Sequence, residues 1–350
     1  MKKLLLSTAI ATSTLIASSA LAQTTITGSL DLSYKAMTDG ITAGTANSTT
    51  SASGFGRESQ INIQNKGKLN NGMDYAAGFS LEFDGQNTTN DTTTLFDENT
   101  YINFISGNTT LHFGQDHIQN GDRTLATFVG LIAEDQANFG GNNVASDIFI
   151  ASVGSNPADA FGVGLIQNIP NIGTLSALYV PSMNSGVSGA DDFGADNGES
   201  AYEVGFVGSL GVKGLSAHAF YNANDKADST TATNRDIKGT NLGVSYNFGA
   251  LTAGYNYKKT EFTTANTEAK QNEFGLAYAV SPNLTVAANY TKAEKTPSAS
   301  TPVDAKSKSI AVGYNLGPVA LTAQAAKLED FDGKSGTDAD VLYLRASTKF

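Results

Sequence analysis

The sequence predicts an all-β protein, a sixteen-stranded antiparallel transmembrane β-barrel. Three observations predict it. Apolar residues recur at every second position, sixteen segments carry that pattern, and the links between the segments alternate short and long. Period two marks a strand because successive side chains point to opposite faces. One face of such a sheet is apolar and the other polar.

The chain opens with Lys2 and Lys3, an apolar stretch from Leu4 to Ile16, and Ala20-Leu21-Ala22 ahead of Gln23. A positive start, a short apolar core and an A-x-A site read as a secretory signal peptide over residues 1–22. A spanning helix is the alternative. Ser7, Thr8, Thr12, Ser13 and Thr14 interrupt the stretch, which falls short of the roughly 20 apolar residues such a helix needs. The barrel domain is then 23–350.

The alternating segments fall near 24–37, 55–68, 73–86, 97–107, 109–117, 160–169, 174–183, 199–209, 213–224, 236–248, 250–262, 269–281, 283–294, 306–316, 318–330 and 338–350. In the last, Leu342, Leu344, Ala346, Thr348 and Phe350 alternate with Val341, Tyr343, Arg345, Ser347 and Lys349. An even count suits bacterial outer-membrane barrels, whose strands need about 9–11 residues to cross. Even-numbered strands end in turn formers such as Asn70-Asn71-Gly72, Gly107-Asn108, Gly249-Ala250 and Gly317-Pro318. Odd-numbered strands end in longer polar links, such as 38–54 and 184–198. Short periplasmic turns opposite longer extracellular loops are the asymmetry such a barrel shows.

A soluble sandwich alternates as well, and the aromatics decide between the two. Tyr34, Phe55, Phe83, Tyr179, Tyr221, Phe248, Tyr257, Tyr290, Tyr314 and Phe350 fall on the apolar side near strand ends, where aromatic girdles meet the membrane interfaces. The opposite side is mostly Asn, Gln, Ser, Thr, Gly and charged residues. A sandwich core would be apolar there, whereas a wide barrel holds water.

Of 22 basic residues the signal removes Lys2 and Lys3, leaving 20 against 33 acids, a formal net charge of −13 for the mature chain. That argues against a nucleic-acid or anionic-lipid partner, since both need a basic surface to replace counterions. Cysteine is absent, and three histidines are few for a metal site, so neither metal nor cofactor is expected. His112 and His218 fall inward among Thr, Gly and Ser and read as wall histidines rather than half of a Ser/His pair. The 36 glycines form no phosphate loop; Gly205, Gly208 and Gly211 lie in or beside strands. Asp191-Asp192 and Asp225 to Asp228 lack the spacing of a calcium loop.

Gly67-Lys68-Leu69-Asn70-Asn71-Gly72 followed by Ala77-Gly78-Phe79-Ser80-Leu81-Glu82-Phe83 resembles the second hairpin of the general diffusion porins of Gram-negative bacteria. Asn99 to Phe104, Leu111 to Asp116 and the terminal Phe350 are similar too, and the layout agrees over the whole mature chain. The resemblance implies passive diffusion of small hydrophilic solutes and ions through an outer-membrane barrel, with no enzymatic activity. It implies a homotrimer in contact with outer-membrane lipid and lipopolysaccharide, and Phe350 as part of the signal read by the barrel assembly machinery. It also implies a third loop, here 117–159, folded inward as a constriction; a surface loop outside the barrel is the alternative.

That loop carries Asp122, Glu134, Asp135, Asp147 and Asp159 against a single Arg123. The family commonly faces such acids with a row of arginines on the inner wall. Here the corresponding inward positions are Gln60, Asn62, Tyr101, Asn103, Gly162 and Gly164, so the row is missing. The remaining inward bases are Lys35, Lys66, Lys258, Arg345 and Lys349, with Lys66 and Lys349 near the periplasmic rim. Acids in a pore favour cations, so weak cation selectivity is expected. The other functional readings are a substrate-specific channel, which needs a run of lumen aromatics where Tyr101, Phe220 and Tyr343 lie on separate strands, and a structural or adhesive barrel, which needs loops that fold as modules.

Overall fold

The computed structural model describes residues 22–38, 52–84, 95–115, 118, 161–181, 199–226, 237–262, 267–296, 304–330 and 338–350. The signal region 1–21 and most of 117–159 lie outside them. Sixteen strands follow in order: β1 (Gln23–Thr38), β2 (Ala52–Lys68), β3 (Asp74–Asp84), β4 (Leu95–Ser106), β5 (Thr109–Gly114), β6 (Gly162–Ile169), β7 (Gly173–Val180) and β8 (Glu199–Gly208). Then come β9 (Leu215–Lys226), β10 (Ile237–Asn247), β11 (Leu251–Phe262), β12 (Thr267–Ser281), β13 (Leu284–Thr296), β14 (Ala305–Leu316), β15 (Val319–Glu329) and β16 (Ala339–Lys349). Every strand pairs antiparallel with its chain neighbours, and β1 pairs with β16 to close the ring.

Closure is what the lipid demands. An open sheet edge would leave a row of backbone N–H and C=O groups without partners in a solvent that offers none. The β1–β16 ladder runs from Ser29 opposite Lys349 to Thr38 opposite Asp340. One further pair seals the periplasmic end: Gly28 N donates to Phe350 O (2.7 Å) and Phe350 N donates to Gly28 O (2.9 Å). The Phe350 ring covers the space over Gly28, where a Cβ would stand 2.5 Å from two ring carbons. An aromatic laid over a strand glycine restores the packing surface that the glycine lacks.

Burial runs opposite to that of a soluble protein. Ile26 is 69% exposed, Phe55 68%, Ile310 66% and Leu316 59%, while Asn241 and Asn256 are 0% and Lys258 1%. Apolar side chains outside and polar ones inside fit a ring set in lipid. Aromatic pairs stand on the outer face: Tyr34 with Phe55, Tyr255 with Phe274, and Tyr246 with Phe248, at centroid distances of 5.0, 4.8 and 4.7 Å.

Four details differ from the sequence expectation. β5 stops at Gly114 rather than 117. The link from β8 to β9 spans 209–214, longer than the tight turns, with Leu210, Gly211 and Gly214 at positive φ. Register shifts between Gly78 and Ser80, where Asn99 of β4 has φ 52°, so the parity that places Tyr101 and Asn103 does not continue below Asn99. The inner face is also not uniformly polar. Leu178, Val180 and Ala201 form one buried cluster and Met37, Leu328 and Ala339 another, each covered by neighbouring apolar groups and so removed from water.

The seam makes a prediction. Gly28→Val drives a side chain into the Phe350 ring and lowers the refolded fraction, read from the heat-modifiable gel mobility of folded barrels. Phe350→Ala removes the clash, so the two changes together cost less than the sum of each alone, with a coupling of about 1 kcal/mol. Strict additivity would show that the ring does not sit over the glycine.

Candidate functional site: the inner wall

The site is the bore itself, built from alternate residues of every strand. On β1 the inward side chains Asp31, Ser33 and Lys35 are 6%, 3% and 3% exposed. Asp31 accepts from Arg345 of β16, at 2.6 Å from Nε and again from Nη2. These partners are 314 positions apart, and only ring closure brings them together. A guanidinium held through two nitrogens by one carboxylate is oriented as well as neutralised.

On β2 and β3 a chain of polar groups ends at a carboxylate. Ser80 Oγ donates to Asn62 Oδ1 (2.8 Å), Asn62 Nδ2 to Gln60 Oε1 (3.2 Å), and Gln60 Nε2 to Glu82 Oε2 (2.9 Å). Hydrogen bonds to a carboxylate are the stronger kind, so the chain holds the Glu82 side chain against the wall. Gln64 meets the Tyr101 hydroxyl, and Tyr101 lies over Gly78. On β4 and β5, Asn103 Oδ1 is 2.8 Å from His112 Nδ1.

The opposite wall repeats the device. Asn222 Nδ2 donates to Glu203 Oε2 (3.0 Å), and Asn256 Nδ2 to Glu273 Oε2 (2.9 Å), while Gln271 also donates to Glu273. His218 Nε2 stands between Asn241 Oδ1 (3.1 Å) and Asn256 Oδ1 (3.0 Å), which fixes a proton on that nitrogen. Lys258 lies between Asn241 of β10 and Gln271 of β12 in register.

The expected wall residues Lys35, Gln60, Asn62, Tyr101, Asn103, Lys258 and Arg345 therefore lie on the inner face. Gln60 and Asn62 are joined, and Arg345 is joined to Asp31. Lys258 sits six strands round the ring from Lys35. The acids Asp122, Glu134, Asp135 and Asp147 lie outside the described residues. What sequence reasoning missed is the acids of the wall: Asp31, Glu58, Glu82, Glu203 and Glu273 all take inward positions. The same parity that places the bases inward places these acids inward as well. Arg57 takes the outward parity, between Phe55 and Ser59, and so is not one of the expected row.

One residue of the third loop is described. Ile118, 7% exposed, packs with Leu178, Val180, Ala201 and Ile166 on the inner face of β6, β7 and β8. Its Cδ1 fills the space over Gly164, 2.7 Å from where a Cβ would stand. Three residues beyond Gln115, the chain is inside the ring.

A closed ring of sixteen strands, apolar outside and lined with oriented charges inside, defines an outer-membrane barrel built round a polar bore. The chain belongs to the Gram-negative porin family, whose model matches residues 7–334, and it resides in the outer membrane. No curated protein sequence matches it. Among solved structures, an anion-selective porin from Comamonas acidovorans covers 94% of this chain and 100% of its own, at 14% identity and a TM-score of 0.66. OmpT, an outer membrane protein of Vibrio cholerae, covers 94% and 98% at 13% identity and a TM-score of 0.62. A mutant of the Rh. blastica porin covers 94% and 100% at 14% identity and a TM-score of 0.58. At such identities these likenesses speak to the fold alone.

Gly164→Val evicts Ile118 from its seat. Single-channel conductance is expected to change or become noisy while the barrel still shifts on heating. A variant with the conductance of the parent protein would show that the seat has no bearing on the bore.

Proposed function

We propose that this porin is a passive diffusion channel for small hydrophilic solutes and ions, weakly selective for cations. The charge of the wall carries the reading. Asp31, Glu58, Glu82, Glu203 and Glu273 face the bore against Lys35, Lys258 and Arg345 across its middle; Asp31 and Arg345 neutralise each other, which leaves Glu58, Glu82, Glu203 and Glu273 against Lys35 and Lys258. Low-dielectric walls focus the field of such charges into the water between them. The Comamonas acidovorans relative is an anion-selective porin, so the shared fold does not set the sign; the residues on the wall do.

The third loop, 117–159, is proposed to enter the bore and add Asp122, Glu134, Asp135 and Asp147 to its field, a course supported by the seat of Ile118. A homotrimer is proposed as the assembly; Vibrio cholerae OmpT has a trimer form. Delivery by the signal peptide 1–22, recognition of Phe350 by the barrel assembly machinery, and contact with outer-membrane lipid and lipopolysaccharide complete the proposal. No catalytic role is assigned to any residue.

Reversal potentials in a planar bilayer under a potassium chloride gradient test the sign. The unmodified protein is expected on the cation side, and Glu58→Gln with Glu82→Gln moves the potential towards zero. A value on the anion side for the unmodified protein overturns the selectivity. Neutralising Glu134 and Asp135 together is expected to lower both conductance and cation preference; unchanged values put the loop outside the bore.

A further inference from the structure

The mature chain is strongly acidic, yet its periplasmic rim is basic. Among the described residues of the short turns and of the strand ends that meet them, the charged side chains are Lys66, Lys68, Asp74, Lys213 and Lys349. Lys68 and Asp74 pair at 2.6 Å and cancel. Lys66, Lys213 and Lys349 remain, all cations, so the rim keeps a positive sum. With the signal peptide removed, the amino group of Gln23 and the carboxylate of Phe350 add one charge of each sign there and leave that sum as it is.

Two of these lysines face the bore. Lys66 continues the inward row Glu58, Gln60, Asn62 and Gln64 of β2, and lies opposite Ala76 of β3. Lys349 continues the inward row Tyr343, Arg345 and Ser347 of β16, and lies opposite Ser29 of β1. Both are exposed. Acids of the wall stand above them on the same flank. Glu58 is eight residues up β2 from Lys66 and Glu82 is six residues up β3 from Ala76, a rise of roughly 15–20 Å on tilted strands. Lys349 lines one recess of about 710 Å³ with Glu58, Gln60 and Arg345, so the basic rim and the acidic stretch open on the same water.

Fixed charges of opposite sign placed in series act on ions differently from the same charges mixed. The acidic stretch gathers cations from the water and the basic rim gathers anions. A voltage of one polarity drives both kinds into the junction between the two stretches, which fills with salt. The opposite polarity draws both kinds out of the junction and leaves it poor in carriers. At 0.1 M salt the Debye length is about 10 Å, shorter than the rise from rim to acids, so each stretch governs its own water. At 1 M it is about 3 Å, and the charges act only next to the wall.

We infer that this channel rectifies, passing more ionic current at one polarity than at the other, because an acidic stretch and a basic periplasmic rim lie in series along its bore. Lys66 and Lys349 are the rim residues that set the effect, and Glu58 and Glu82 stand against them. The inference rests on the channel reading and is independent of the third loop.

Single-channel current–voltage curves in a planar bilayer, with the same potassium chloride solution on both sides, test it. For the unmodified protein, currents at equal and opposite voltages are expected to differ by about 1.5-fold or more at 0.1 M and to agree within about a tenth at 1 M. Lys66→Gln with Lys349→Gln is expected to bring the ratio at 0.1 M close to one, and Lys66→Gln alone to lower it partway. Lys66→Arg with Lys349→Arg keeps the charge and is expected to keep the ratio. Heat-modifiable mobility shows that each variant is folded, and the single Lys66 variant carries the test if the double one is not. Equal currents from the unmodified protein at 0.1 M overturn the inference, as does a ratio that persists at 1 M, one that the Gln variants leave unchanged, or one that the Arg variant loses. Absence of any current steps would instead remove the channel reading itself, and a reversal potential on the anion side would remove the selectivity while leaving the current ratio to be read.

Discussion

Backbone hydrogen bonding in a solvent that cannot share it governs everything else in this protein. Each strand satisfies its neighbours, and the first and last must satisfy each other, so the chain has no stable form between an open sheet and a complete ring. The β1–β16 ladder and the Gly28–Phe350 pair are therefore the condition under which the other hairpins can sit in lipid. Closure also creates chemistry. Asp31 and Arg345 become neighbours only across the seam, and their pairing decides how much positive charge the bore retains.

Given the ring, the two faces follow from the pleat, and the inner face turns polarity into order. Its carboxylates do not point loosely into water. Glu82, Glu203 and Glu273 each receive an amide from Gln60, Asn222 or Asn256, so neutral side chains hold the charged ones in place. A hydrogen bond to a charged group contributes about 1.5–3 kcal/mol, and losing it leaves a buried anion without its donor. A lining of this kind keeps its charges fixed relative to one another, which a lining of long mobile side chains would not.

Much of this was legible in the sequence because period two is a strong signal when it is repeated sixteen times. It located every strand and gave the correct face to Lys35, Gln60, Asn62, Tyr101, Asn103, Lys258 and Arg345. The misses have physical reasons. Pairing between residues 31 and 345 is invisible without knowing that the ring closes. The shift at Asn99 leaves no composition signal, since a single backbone angle produces it. The inward Leu178 and Val180 look like errors of parity until Ile118 covers them. The wall acids share the parity of the inward bases, but their order comes from amides on neighbouring strands, and strand register is not written in a single strand's pattern. The acids of 117–159 lie outside the described residues, so their part in the bore rests on sequence.

The outer wall is not equally tall all the way round. On β1 the outward run Ile26, Gly28, Leu30, Leu32, Tyr34, Ala36 offers six positions without a charge, whereas β14 offers Leu316, Tyr314, Val312 and Ile310 before Lys308. A bilayer that matches one flank is too thick for the other, and each ångström of mismatch costs a fraction of a kcal/mol. The membrane must thin beside β14 and β15 or the barrel must lean, so this protein imposes a gradient of thickness on the lipid round it.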